Sequence, residues 1–248
     1  MAPVFETLDS FDRRTIFCIW FGNEPMPVNR AAALLSIIHN SNCPVVLLHN
    51  HNFRNWELKT HPFHPAFEYL TDTHKADYLR IYIAYHFGGG YSDIKFTFKD
   101  WSDKFELLGQ SDKFCLAYPE TDNSGPCLNL AEKYQPESVE EMRSNYHLFP
   151  GTSAFIFKKG TTFAADILGL MHHVMDNYFE QLKIFPGRLP QEYRNKLLPD
   201  GSHSRYPLDW VELLGDNFHY LAYFKYKENI LFADIKPSSM HYRDYFLN

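Results

Sequence analysis

The sequence predicts an α/β fold: a mostly parallel central sheet flanked by helices, with an irregular layer at the C-terminal end. Three observations carry that prediction. The β-branched and aromatic run "TIFCIWF" and the apolar run "PVVLLH" lie on either side of a helical stretch rich in Ala, Leu and Ile. A second, more apolar helical segment ends in three successive glycines. Further short apolar runs follow at "KFCLAY" and "TSAFIF". Strand, helix and strand in that order form a βαβ unit, which favours parallel strands with helices packed on them.

The elements follow in order. Thr15–Phe21 reads as a buried strand closed by Gly22. Asn29 is placed to cap a helix running to about His39, and Pro44–His49 is the second strand. "NHNFRNWELKTHPFHP" is polar and broken by two prolines, so it reads as loop. A helix spans about Asp72 to Phe87, capped by Thr71, Asp72 or Thr73 and ended by Gly88 in the left-handed conformation. It is apolar nearly all round, which places it centrally.

"YSDIKFTF" then reads as a strand in which Ile94, Phe96 and Phe98 share one face and Tyr91, Asp93, Lys95 and Thr97 the other. Residues 121–147 form a long polar insertion with one short helix, "QPESVEEMRS", read as a solvated acidic helix and a candidate acceptor-binding lid. A long helix is expected over 162–182, and "DWVELLG" as a short one. No repeat and no second core is visible, so residues 1–248 are read as one domain.

Composition excludes several classes. A formal net charge of −6 opposes a duplex nucleic-acid binder, which needs a basic face. No apolar run approaches the ~20 residues that span a bilayer, and the first residues lack a signal-peptide core. Four cysteines without CxxC spacing suit a reduced setting, so a cytoplasmic location is expected. The His pairs of "HNH" and "HPFH" bring no further ligands at zinc-site spacing, and no phosphate loop or nucleophile elbow is present. Aromatics reach 17%, which suits sugar stacking, although a dense core is the plainer account of most of these rings.

The chemistry concentrates in "ADYLRIYIAYHFGGGYSDIKF". On the predicted strand Asp93 and Lys95 lie roughly 6.6 Å apart at ~3.3 Å per residue. Gly88, Gly89 and Gly90 before them leave room for a backbone or a ligand to approach. Asp77 and Arg80, at i and i+3, put two charges on an apolar helix, where charges need a partner or a task. A surface hairpin with a helix salt bridge is the plain alternative.

This stretch resembles the donor-site signature of glycosyltransferase family 32 and the related capsular-polysaccharide-synthesis, sugar-binding "DXD" families. There an Ala/Ser-Asp-x-x-Arg helix leads through Gly-Gly-x-Tyr to Asp-x-Asp. "IFCIWFGNEPMP", "GTSAFIFKKG" and "YPLDWVELLG" resemble three further, individually weaker segments in the same order. The resemblance implies a GT-A-like nucleotide-sugar-binding fold and a hexosyltransferase, working with retention, that uses a nucleotide sugar such as a UDP-sugar. Its acceptor would be a glycan, polysaccharide or glycoprotein.

Carried over, Trp20 with Phe21 would meet the nucleotide base, and Asp77 and Arg80 would hold sugar hydroxyls. Asp93 would reach the ribose or a divalent metal, and Gly89, Gly90 and Tyr91 would border the donor. Trp210 would close over the diphosphate. Where the families have a second Asp, this chain has Lys95. Either Lys95 replaces the charge of Mn²⁺ or Mg²⁺ beside the diphosphate, or Asp93 keeps a metal with a late residue such as His203 or His241. Asp209 and Glu212, beside Trp210, are candidate bases, although a retaining transfer requires no dedicated one. A non-catalytic nucleotide-sugar or glycan-binding protein is the rival reading. A carboxylate-pair glycoside hydrolase is disfavoured by the opposite charges of Asp93 and Lys95.

Overall fold

The computed structural model describes residues 12–22 and 25–238. Its centre is one six-stranded sheet built from β1 (Ile16–Trp20), β2 (Val45–His49), β3 (Gly89–Ser92), β4 (Cys115–Pro119), β5 (Pro150–Phe157) and β6 (Ile230–Phe232), in the order β2-β1-β3-β5-β4-β6. The pairs β1–β2, β1–β3 and β4–β6 are parallel, while β5 runs antiparallel to β3 and β4. The sheet is thus mostly parallel with one reversed strand.

The βαβ prediction holds. β1 leads through α1 (Val28–Asn40) to β2, and α2 (Asp72–His86) then carries the chain back to β3 on the other side of β1. Alternation along β1 divides the core accordingly. Phe17 and Ile19 pack with α2, whereas Ile16 and Cys18 pack with Ala33 and Ile37 of α1. The two crossover helices therefore lie on opposite faces, and the order of strands reverses between β1 and β3.

α2 starts where the sequence places it: the Thr71 side chain accepts from the His74 amide, and Gly88 follows at φ +75°. α1 differs. Pro27 precedes it, and Asn29 lies within its first turn, accepting from the adjacent Arg30 amide. The proline-broken loop contains two single turns of 3₁₀-helix, Phe53–Trp56 and Pro65–Tyr69. α3 (Ser102–Gln110) and β6 are elements that the sequence reading did not include.

The insertion folds as two short helices, α4 (Asn129–Tyr134) and α5 (Val139–Ser144), around buried Leu128, Ala131, Met142 and Phe149. Asn129 donates to the Asp216 carboxylate from its amide and its side chain, so this region is docked on the body. The predicted long helix is interrupted at Tyr178 into α6 (Thr162–Asn177) and α7 (Phe179–Ile184). "DWVELLG" forms turns, and the helix α8 begins only at its glycine (Gly215–Leu221).

Candidate functional site

Crevices that bind ligands in open α/β sheets lie beyond the carboxyl ends of strands, where strand order reverses. Here that place is the junction of Trp20, at the end of β1, with Asp93, just past β3. The chain does not continue as the predicted 91–98 strand. The Asp93 amide still bonds the Ser153 carbonyl at 2.8 Å, but the Lys95 amide turns back onto the Asp93 carbonyl at 2.7 Å. From the α1 side, buried Arg30 donates to the Ile94 carbonyl at 2.6 Å and pins the turn.

The turn brings together what a straight strand would hold apart: Lys95 Nζ lies 2.8 Å from Asp93 Oδ2. The Tyr91 hydroxyl donates to Asp93 Oδ1 at 2.7 Å. Arg80 reaches over from α2, with one guanidinium nitrogen 3.8 Å from Asp93 Oδ1 and 2.8 Å from the Thr152 carbonyl, and another bonded to Asp77. Its guanidinium also lies 4.5 Å from the centre of the Tyr91 ring. Asp77 and Arg80 are buried; the side chains of Asp93 and Lys95 are 16% and 18% exposed, so the cluster opens on that side.

Two acids and two bases make a formally neutral cluster, yet the acids differ. Burial pushes the Asp77 carboxyl up to about 6, against the pull of Arg80. Burial also opposes ionisation of Asp93, but Lys95 and Arg80, with hydrogen bonds from Lys95 and Tyr91, hold it below the ordinary carboxylate range. Asp93 is thus the fixed anion and Asp77 the one nearest to taking a proton.

The glycines behave otherwise than expected. They stand at the amino end of β3, and the protein fills the space they leave. A methyl group at Gly88 would meet the Lys159 amide nitrogen at 2.8 Å, and one at Gly89 the Thr15 carbonyl oxygen at 2.8 Å. At Gly90 it would meet the Trp101 ring at 3.0 Å. The expectation that Gly89 and Gly90 clear room for a donor is corrected: they allow close packing of core and backbone.

Phe21 is also core, buried with its ring edge-on to Phe53. Trp20 remains half-buried at the end of β1, with its ring folded over Gly22. Trp210 is 40% exposed and touches the Tyr193 ring edge-on. Asp209 and Glu212, the candidate bases, are both bound by Arg194, at 3.1 and 2.7 Å. They fasten the Trp210 loop.

The donor set around Asp93 does not fit a divalent cation. Its oxygens already accept from a hydroxyl and an ammonium, and a guanidinium stands close by, so a cation would face two positive groups. His203 is spent elsewhere: it is exposed, in an isolated bridge with Leu197, with Nδ1 2.9 Å from the Asn195 carbonyl. His241 lies outside the described residues. Among the described residues no group of three or more His, Cys, Asp or Glu is placed to hold a metal ion. No helix of the described chain is long and apolar enough to cross a membrane.

Four contributors went unread in the sequence. Arg30 gave no signal beyond a charge on an apolar helix. Gly151 lets the Tyr118 ring lie against the β5 backbone: a methyl group there would fall 1.9 Å from that ring. The Tyr118 hydroxyl bonds Ser153 at 2.6 Å, beside the carbonyl that holds Asp93. Glu120 closes β4, its carboxyl raised by burial against the pull of Lys236 and Lys95.

No protein-family profile matches this sequence, and no curated protein does. Among solved structures the fold is similar to one named PaToxG Glycosyltransferase, at 14% identity and a TM-score of 0.39, over 70% of this chain and 65% of that one. The chain therefore spans just under two thirds of that neighbour's length.

Proposed function

We propose that this chain is a glycosyltransferase that moves a hexose from a nucleotide sugar, a UDP-sugar, to a glycan, polysaccharide or glycoprotein acceptor, with retention of configuration. The observation that carries the reading is the convergence of Asp77, Arg80, Asp93 and Lys95 at the switch point of the sheet. Burial outweighs the pull of Arg80 at Asp77, and two acids and two bases gathered in apolar surroundings favour a polar ligand as their purpose.

On this reading Lys95, rather than a metal, meets the donor diphosphate. When the sugar–phosphate bond breaks, negative charge grows on the leaving nucleoside diphosphate. A fixed ammonium lowers the energy of that state more than that of the intact donor. Asp93 and Tyr91 orient Lys95, while Asp77 and Arg80 grip hexose hydroxyls. Trp20 borders the base, and Trp210 closes the rim. The acceptor proton passes to the departing phosphate oxygen, so neither Asp209 nor Glu212 is needed as a base.

The test is a panel of UDP-, GDP- and CMP-sugars with an acceptor panel, scoring thermal shift and nucleotide release, with and without chelator. A UDP-sugar should raise the melting temperature and release UDP regardless of chelator. If chelator abolishes turnover while Lys95→Ala is normal, the charge-replacement mechanism fails. Binding with no release across all acceptors makes the chain a non-catalytic binding module instead.

A further inference from the structure

A cavity lies away from the cluster, between the end of α7 and the segment 192–206. It is an open cleft of about 250 Å³ walled by Phe185, Pro186 and Tyr206, with Arg188, Arg205 and Glu192 as its charged members. At ~30 Å³ per liquid water, that space takes several waters or one small solute.

Its charges are unevenly satisfied. The Glu192 carboxylate is 1% exposed and held from within, accepting from the Arg188 amide at 2.7 Å, the Leu189 amide at 3.3 Å and the Ser204 hydroxyl at 2.7 Å. These bonds hold it below its ordinary range despite burial. The Arg188 guanidinium therefore adds only a long contact at 3.4 Å and stays mostly exposed. Arg205 lies 3.8 Å from the centre of the Phe185 ring and makes no ion pair among the described residues. Two guanidinium forks thus border one cavity whose only acid is already served.

The wall is fastened to α2. The Tyr206 hydroxyl bonds His74 Nδ1 at 2.8 Å and the Thr71 amide at 3.4 Å, and Gly187 packs so closely on Thr71 that a methyl group would lie 2.7 Å from its amide nitrogen. His74 is one turn before Asp77 on that helix. A solute in the cavity would thus sit near the start of the helix that presents Asp77 and Arg80.

We propose that this cavity binds a saccharide bearing a carboxylate or phosphate, its oxyanion taken by Arg188 and Arg205 and its ring lying on Pro186. Planar guanidinium forks match these oxyanions in two-point geometry, and Arg205 rests over the Phe185 ring. On the transferase reading above, on which this last step rests, the solute is the acidic end of an acceptor.

Calorimetric titration of the full chain at low salt with glucuronate, glucose 6-phosphate, inorganic phosphate and neutral glucose tests this without any turnover. One of the two charged sugars should bind at least tenfold tighter than glucose, and whichever is tighter identifies the oxyanion. Inorganic phosphate should be weaker than glucose 6-phosphate because it lacks the ring. Arg205→Ala and Arg188→Ala should each weaken binding about tenfold, and Arg205→Lys should not restore it. Equal affinity for glucose, or unchanged binding in both alanine variants, overturns the proposal. So does the absence of heat with both charged sugars. Circular dichroism of each variant separates lost binding from lost fold. Because donor turnover is not read, a negative result leaves the transferase proposal standing, and an inactive protein that binds leaves this one standing.

Discussion

The amino end of β3 begins with Gly89 and Gly90, packed against the Thr15 carbonyl and the Trp101 ring; its carboxyl end delivers Asp93 to Lys95, Tyr91 and Arg80. Roughly 13 Å of strand separates Gly89 from Asp93 at ~3.3 Å per residue. Glycines and charges lie side by side in sequence and look like parts of one pocket, but they answer different demands. At the amino end, the missing side chains let strands and core close up, which stabilises the fold. At the carboxyl end, charges are drawn out of water; pairing outweighs that burial at Asp93 but not at Asp77. Adjacency in sequence says little about function when a strand runs through a sheet from one edge to the other.

The largest separation between the two ends should appear in turnover. On the proposed transferase reading, Lys95→Ala is expected to lower the transfer rate by about 10²–10³ while leaving the melting temperature within a few degrees of wild type. A variant that turns over normally would place the chemistry elsewhere. Next in size, Gly89→Ala should cost about 2–4 kcal/mol in chemical denaturation, because it combines a left-handed backbone with overpacking. Its folded fraction should keep wild-type kcat; a lowered kcat at full folding would return the glycines to the site.

The pH dependence of stability sharpens the contrast. Asp77 has a folded pKa of about 6, above its unfolded value of 3.8, so the folded chain binds more protons between those values. Its contribution to stability therefore rises as pH falls from about 6 to about 4 and is lost as pH climbs through 6. Buried His74 and His219, lowered to about 4 mainly by desolvation, act oppositely and lose stability below pH 6.5. Subtracting the stability curve of Asp77→Asn from wild type isolates the first effect, expected to be on the order of 1–3 kcal/mol. A flat difference would mean that Asp77 ionises as freely as in the unfolded chain.

Smallest of all, Trp210→Ala should change stability by under ~1 kcal/mol, since the ring is exposed on one side. On the proposed UDP-sugar reading it should raise the donor KM with kcat little altered, measured by UDP release. An unchanged KM would reduce Trp210 to a surface residue.

Much of the fold was legible because its signals are local. The runs that became β1, β2, β4 and β5 are short, apolar and bounded by breakers, and Thr71 and Gly88 mark α2 as the residue chemistry predicts. Where the reading erred, a partner decided. β3 starts two residues before the strand expected over 91–98 and ends six residues before it, because its glycines pair with β1 and β5, which no local propensity favours, and the chain turns after Ser92. β6 has three residues and exists as a strand only beside β4. α6 breaks at Tyr178, whose hydroxyl accepts from Arg194, a link across the C-terminal layer. Within the site, Asp77, Arg80, Asp93 and Lys95 were found as charges in apolar surroundings. Arg30 and Gly151 were not, since their roles exist only once α1 and β5 are packed against the turn.

The sequence by itself determined the βαβ start, the position and caps of α2, and which four charged residues would be set in apolar company. Each follows from periodicity, capping chemistry and the cost of dehydrating a charge. Only tertiary structure decided that the glycines are filled by the protein, that a turn after Ser92 joins Lys95 to Asp93, and that Arg188 and Arg205 share a cavity. Those outcomes depend on groups far apart in the chain, whose contact energies exist only after the sheet has closed.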